Sequence, residues 1–169
     1  MDFNDVIKNR YSCKSFSDKE VEKDKLMKVL EAGRLAPTAK NLQPQKIYVI
    51  KDEKLKLIDK VTPCRYNAPL CLVVALNKEN VFIYPGGKRN SGIEDATIVA
   101  THMLLEATNQ GLDSCWINFF NPDELKEILK LNSNEEILMI LDLGYKNDDV
   151  KPLDNHYKRK KLEETVVFM

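Results

Sequence analysis

The sequence predicts an α+β fold, and three features carry that expectation. Helical periodicity runs through 21–35, and a long, unusually apolar helical pattern fills 93–110. Two nearly unbroken apolar runs, 70–76 and 137–143, read as buried strands. Helices and strands follow one another in mixed order, as in a sheet with helices packed around it. With 169 residues, the chain suits one domain, 1–169, able to bury its own core.

In chain order, Asp2 to Asn9 predicts a short amphipathic helix with Phe3, Val6 and Ile7 on one side. Tyr11 to Phe16 reads as extended chain. Val21 to Leu35 is a helix in which Leu26, Val29, Leu30 and Gly33 recur at helical spacing, and Pro37 stops it. Ile47 to Ile50 is a strand, Glu53 to Val61 a helix, and Leu70 to Leu76 a central strand. Asn77 to Asn90 is polar, carries Pro85, Gly86 and Gly87, and reads as an irregular loop. Ile93 to Gln110 forms a helix at the core, closed by Gly111 as a C′ glycine. Leu112 to Phe119 is a strand. Asn121-Pro122-Asp123-Glu124 then starts a helix: Asn caps, Pro fits the first turn, and acids favour the positive helix end. Ile137 to Leu143 is the last buried strand. The apolar tail, Leu162 to Phe168, has strand character and is expected to dock, on this chain or on a partner subunit.

Composition excludes several classes of function. Hydrophobic residues make up 43% and charged residues 31%, a globular rather than a disordered profile. Lys+Arg and Asp+Glu both total 26, so there is no basic surplus of the kind nucleic-acid binding draws on. No run approaches the roughly 18 apolar residues of a membrane span, and the N-terminus lacks the apolar core of a secretory signal. A cytoplasmic protein is expected. The four cysteines form no C-x-x-C pair and there are only two histidines, which argues against a zinc site and a disulfide framework. Buried free thiols are expected instead. Neither G-x-G-x-x-G, nor a P-loop, nor G-x-S-x-G occurs. If the chain is an enzyme, a bound cofactor is expected to supply the hard chemistry.

Four segments carry candidate chemistry. In extended chain, Arg10, Ser12 and Lys14 flank Tyr11 and share a face, two cations and a hydroxyl suited to a phosphate. Such a set also occurs on plain solvated strands. The loop Ala36 to Gln45 holds Pro37, Thr38, Ala39, Asn41 and Gln43; its small residues admit a flat ligand, and its amides donate and accept. Gly111 to Phe120 leads from a strand towards a helix start, and Trp116, Ile117, Asn118 and Phe119 stand at that strand's end, either as core packing or as a ligand wall. The basic run Lys158 to Lys161 contains Arg159 and Lys160, by itself an ordinary solvated charge run.

Together the segments resemble the nitroreductase-like family of FMN-dependent oxidoreductases in its short form, over nearly the whole chain. R-x-S-x-[RK] sits at Arg10, Ser12 and Lys14, and A-P-[ST]-x-x-N-x-Q-P at Ala36 to Pro44. G-L-x-[ST]-C-W-I sits at Gly111 to Ile117, L-x-L-G-Y at Leu141 to Tyr145, and R-K-x-L-E-E at Arg159 to Glu164. The resemblance implies a central, mostly antiparallel sheet and a homodimer with a domain-swapped C-terminal tail and two FMN sites. By that resemblance Arg10, Tyr11, Ser12 and Lys14 hold FMN, with Arg159 and Lys160 completing a phosphate clamp. Pro37, Thr38, Ala39, Asn41 and Gln43 approach the flavin from the other subunit, and Trp116 to Phe119 lie against its ring. It further implies electron transfer from NADH or NADPH to nitroaromatic, quinone or similar small-molecule acceptors by ping-pong kinetics. No side chain is assigned as acid or base; Lys14 stands as a stabiliser of charge on the reduced flavin. Asn118 and Phe119 replace the small residues common after W-I, and Gln45 replaces an aromatic residue common after Q-P. A flavin-holding or redox-sensing protein without nicotinamide turnover is the alternative.

Overall fold

The computed structural model describes residues 1–169. The chain runs through α1 (Phe3–Asn9), α2 (Lys23–Leu35), β1 (Gln45–Lys51), α3 (Leu55–Asp59), β2 (Leu70–Asn77), α4 (Gly92–Asn109), β3 (Asp113–Ile117), α5 (Pro122–Leu129) and β4 (Glu135–Gly144). The four strands form one antiparallel sheet in the order β1-β2-β4-β3. The most apolar strands, β2 and β4, take its centre, because only there are both faces covered.

Alternation along β2 divides the core in two. Leu70, Leu72 and Val74 face α2 and α4, where Val29, Val99, Ala100 and Met103 meet them. Cys71, Val73 and Ala75 face the opposite way, towards Ile58 of α3, Leu125 of α5, and Cys13 and Phe16 of the N-terminal segment. Leu138 of β4 is bulged out of register between Val74 and Ala75, which lets Ile137 and Met139 serve opposite cores. Gly33 lets α2 close on α4: a Cβ there would lie 2.8 Å from Met103 Cγ. Gly111, at φ 72°, ends α4 as expected, and the Asn121 side chain accepts from the Glu124 N–H at 3.3 Å to start α5.

Several expectations need correction. Only Val6 of α1 is buried; Phe3 and Ile7 are exposed, because the helix lies against the body along a narrow stripe. The helix expected over 53–61 is a 3-10 turn, Asp52–Lys54, followed by the short α3. The 77–90 stretch is organised rather than irregular: Ile83 bridges Asn90, and the Tyr84 N–H donates to the Arg89 carbonyl at 3.0 Å around Gly86 and Gly87. The tail forms no strand. Leu162–Glu164 is a 3-10 turn, the Thr165 and Val166 N–H groups donate back to the Leu162 carbonyl, and Val167 to Met169 run on unpaired, with Phe168 92% exposed. A strand needs a free edge. The outer side of β3 is taken by residues 12–13, and the β1 edge lies across the sheet.

Two of the buried carboxylates, both on β4, are paired with cations. Glu135 accepts from the Tyr48 hydroxyl at 2.8 Å and the Asn132 N–H at 3.0 Å and pairs with Lys46. Burial raises its pKa, but the hydrogen bonds from Lys46 and Tyr48 outweigh this and hold it below the usual carboxylate range. A depressed folded pKa stabilises the fold above the unfolded value of roughly 4.3, and that stability is lost as pH falls through the folded pKa. Glu135→Gln is therefore expected to flatten the acid limb of a stability-versus-pH curve below about pH 4.5; an unchanged limb in urea titrations would assign acid unfolding to other groups. Asp142 of β4 is fully buried, and its charged partner is Arg65, which also donates to the Ala68 carbonyl at 2.8 Å.

Candidate functional site

The N-terminal segment reaches the site because it adds to the sheet edge. Ser12 bridges Ser114 in parallel, and the Cys13 N–H donates to the Ser114 carbonyl at 2.9 Å. Cys13 then faces the core, so Ser12 and Lys14 both face outward by strand alternation. On that side they share a cavity of about 280 Å³ with Trp116, Ile117, Asn118 and Phe119. Thus two of the segments singled out in the sequence, 103 residues apart at Ser12 and Cys115, form one wall.

Cys115, within the 111–120 segment, lines the same cavity, as do Cys64 and Tyr66, which sequence reasoning did not find. Lys14 Nζ lies 5.5 Å from the centre of the Tyr66 ring. Tyr66 and Asn67 both have positive φ, a backbone setting that nothing in Pro63-Cys64-Arg65-Tyr66-Asn67 announces. A second cavity of about 300 Å³ shares Ser12 and Lys14 and adds Tyr11, Leu153, Asn155 and His156. His156, passed over in the sequence, sets its ring edge-on to Tyr11 at 6.3 Å. The Tyr11 hydroxyl is raised in pKa by burial and then by the Asp113 carboxylate, so it stays neutral.

Arg10 follows α1 and is half-buried. Burial, then the neighbouring Arg159 guanidinium, lowers its pKa. No carboxylate forms an ion pair with Arg10, Lys14, Arg159 or Lys160. Arg159 instead donates to backbone carbonyls of His156 and Lys158. Two guanidiniums brought together without an anion form a setting that an anion would relieve. Lys160 is exposed and makes no hydrogen bond within the chain.

The far wall is the turn after β3. Trp116 Nε1 donates to Asn118 Oδ1 at 2.7 Å, and the Phe120 N–H to the Asn118 carbonyl at 3.1 Å. The backbone N–H groups of Asn118 and Phe119 have no acceptor in the chain. Phe119 projects its side chain outward, 72% exposed, at the cavity mouth.

Pro37, Thr38, Ala39, Asn41 and Gln43 are not brought to this cavity. Their loop precedes β1 on the opposite sheet edge, with two strands between it and β3, about 14 Å away by three interstrand spacings alone. It is a built loop nonetheless. The Ala39 N–H donates to the buried Asp95 carboxylate at 2.8 Å, and the Gln43 N–H to Thr38 Oγ1 at 3.0 Å. Lys40, Asn41 and Gln43 hold positive φ. The Gln43 side chain donates to the Asn41 carbonyl.

The thiols are chemically quiet. Cys13, Cys71 and Cys115 are buried and all four cysteines are free. Burial pushes Cys115 up to about 11 and Cys71 up to about 12, far from thiolate nucleophiles.

The fold is thus an antiparallel sheet between two helical layers, with a cation-bearing N-terminal segment laid along its β3 edge. The chain belongs to the Nitroreductase family, whose sequence pattern matches residues 7–66 and 63–145. It is similar to the crystal structure of a nitroreductase family protein from Clostridium difficile 630, at 38% identity and TM-score 0.93 over 99% of this chain and 98% of that one. An FMN-dependent nitroreductase from Clostridium difficile R20291 matches at 30% identity and TM-score 0.76, covering 96% of each chain. A relative from Archaeoglobus fulgidus, provisionally named an NADH dehydrogenase/NAD(P)H nitroreductase, is 27% identical over 85% of each sequence. No helix of the chain is long and apolar enough to cross a membrane.

Proposed function

We propose that residues 1–169 form one FMN-binding domain that works as a homodimer and passes electrons from NADH or NADPH to a small flat acceptor such as a nitroaromatic or a quinone. The observation that carries this reading is the shared cavity, which Ser12 and Lys14 line together with Trp116 to Phe119. The residues fit the group. Arg10 and Arg159, cations without carboxylates, would hold its phosphate, with Lys160 beside them. Tyr11, Ser12 and Lys14 would line the ribityl chain and the pyrimidine edge. The unpartnered N–H groups of Asn118 and Phe119 would meet acceptor atoms of the ring. Bound there, FMN would supply the hydride and two-electron chemistry that links a nicotinamide donor to the acceptor, while these residues hold and orient it.

One chain presents half of such a site. The strained, hydrogen-bonded loop at Pro37, Thr38, Ala39, Asn41 and Gln43 is too far to serve its own cavity and would serve the partner's. The tail fits the same arrangement. Val167 to Met169 are apolar and unpaired, and β1 leaves one edge open; a swapped tail would cover both.

The test is an absorbance spectrum of purified protein before and after anaerobic NADH and then NADPH. Oxidised-flavin bands that bleach are expected, and the nucleotide that bleaches them identifies the donor. Deleting 159–169 is expected to reduce both FMN content and dimerisation. A colourless protein that stays so after reconstitution with FMN sinks the reading. Phe119 at the cavity mouth favours one second reading, a flavin-holding protein; bands that persist with both nucleotides are its signature.

A further inference from the structure

Thr62 lies outside every segment the sequence singled out, yet its side chain ties together two walls of the site. It is 3% exposed. Its Oγ1 donates to the Phe119 carbonyl at 2.6 Å and accepts from the Cys64 N–H at 3.1 Å. The second bond is a local Ser/Thr turn, and Pro63 helps set it by holding Thr62 extended. That turn carries Cys64 and Tyr66 onto the cavity, opposite Asn118 and Phe119.

The first bond acts through two peptide planes. The Phe119 carbonyl belongs to the peptide whose N–H, on Phe120, donates to the Asn118 carbonyl at 3.1 Å. A planar trans peptide points its C=O and N–H in opposite directions. Holding the Phe119 carbonyl on Thr62 therefore aims the Phe120 N–H at the Asn118 carbonyl, closing a three-residue turn centred on Phe119. That contact turns the preceding peptide, which joins Asn118 to Phe119, so that the Phe119 N–H points away from the turn. A backbone bond from the Asn121 N–H to the Val61 carbonyl, at 3.4 Å, pins the same two segments one residue further on, but it does not touch the Phe119 carbonyl. Thr62 is the side chain that does.

We infer that Thr62 is a positioning residue, whose hydroxyl holds the Asn118–Phe119 turn with its free N–H groups aimed into the cavity. Its role towards a flavin rests on the function proposed above. A hydrogen bond from these N–H groups would stabilise negative charge on a reduced flavin, so the set of the turn would tune its reduction potential.

The test compares full-length wild type, Thr62→Val and Thr62→Ser. Valine keeps shape and loses both hydrogen bonds; serine keeps both. Amide hydrogen exchange of Phe120 and Asn121 in FMN-free protein is expected to quicken by roughly two- to tenfold in Thr62→Val, the scale of one net hydrogen bond, and to return in Thr62→Ser. With FMN added, Thr62→Val is expected to shift the flavin midpoint potential downward and to lower kcat more than it raises KM, again with recovery in serine. Unchanged exchange overturns the hydroxyl as the holder of the turn. Quickened exchange with an unaltered potential overturns its role towards the flavin. Wild type that takes up no FMN overturns the functional reading itself, a result the exchange measurement separates from the other two.

Discussion

Asp142→Ala is expected to destabilise the protein by about 3–5 kcal/mol, a large share of the roughly 5–15 kcal/mol that holds a domain together. Asp142 is fully buried on a central strand, and the Arg65 side chain is only 7% exposed. Removing the carboxylate leaves the guanidinium enclosed with a single remaining acidic neighbour, Asp59, 3.7 Å from Nε and itself exposed. A buried charge without its counter-charge is the expensive state, more so than the absence of both. The double change Arg65→Met with Asp142→Leu is accordingly expected to recover most of the loss. Urea unfolding of the two singles and the double closes the cycle. A single Asp142→Ala loss under about 1 kcal/mol would mean that water or a rearranged Asp59 already satisfies Arg65.

Arg10→Ala is expected to weaken FMN binding by about 1.5–3 kcal/mol, roughly 10- to 150-fold in Kd. The guanidinium is half-buried and faces Arg159 with no acid between them. A phosphate placed there gains a planar fork of donors and relieves a like-charge repulsion at once. Two controls distinguish this from a structural role. Arg10→Lys keeps the charge and loses the fork, so its affinity falls between the two. In FMN-free protein, Arg10→Ala is expected to alter stability by no more than about 0.5 kcal/mol, because the residue has no ion-pair partner to lose. Arg10→Ala and Arg159→Ala combined are expected to be non-additive, since each guanidinium acts on the same anion and on the other. Equal affinity in wild type and Arg10→Ala would place the phosphate elsewhere.

Much of the fold was legible in the residues. Every strand and helix of the sheet and its two layers was marked by pattern, from the unbroken apolar run at Leu70 to Gly111 closing α4 and Asn121 capping α5. Boundaries moved by a few residues, most at α3, where Asp52 takes positive φ and the first turn tightens. Half of the candidate site was also legible, because Arg10, Ser12 and Lys14 alternate along an extended segment whose pattern is local. Tyr66, Cys64, His156 and Thr62 were not. Their placement depends on which turn lands against which strand end, and no spacing in the chain records that.

The sequence by itself determined the α+β class, the central position of 70–76 and 137–143, and the residue types suited to an anion beside a flat ligand. Periodicity and capping are short-range consequences of backbone geometry, so they survive in a one-dimensional reading. Only the tertiary structure decided that Ser12 lies beside Ser114, that the 37–43 loop stands on the opposite sheet edge, and that the apolar tail finds no strand to join in its own chain. Those outcomes follow from edge pairing. A strand's free N–H and C=O groups accept whichever segment the packed layers bring within reach, and that choice is made by the whole fold.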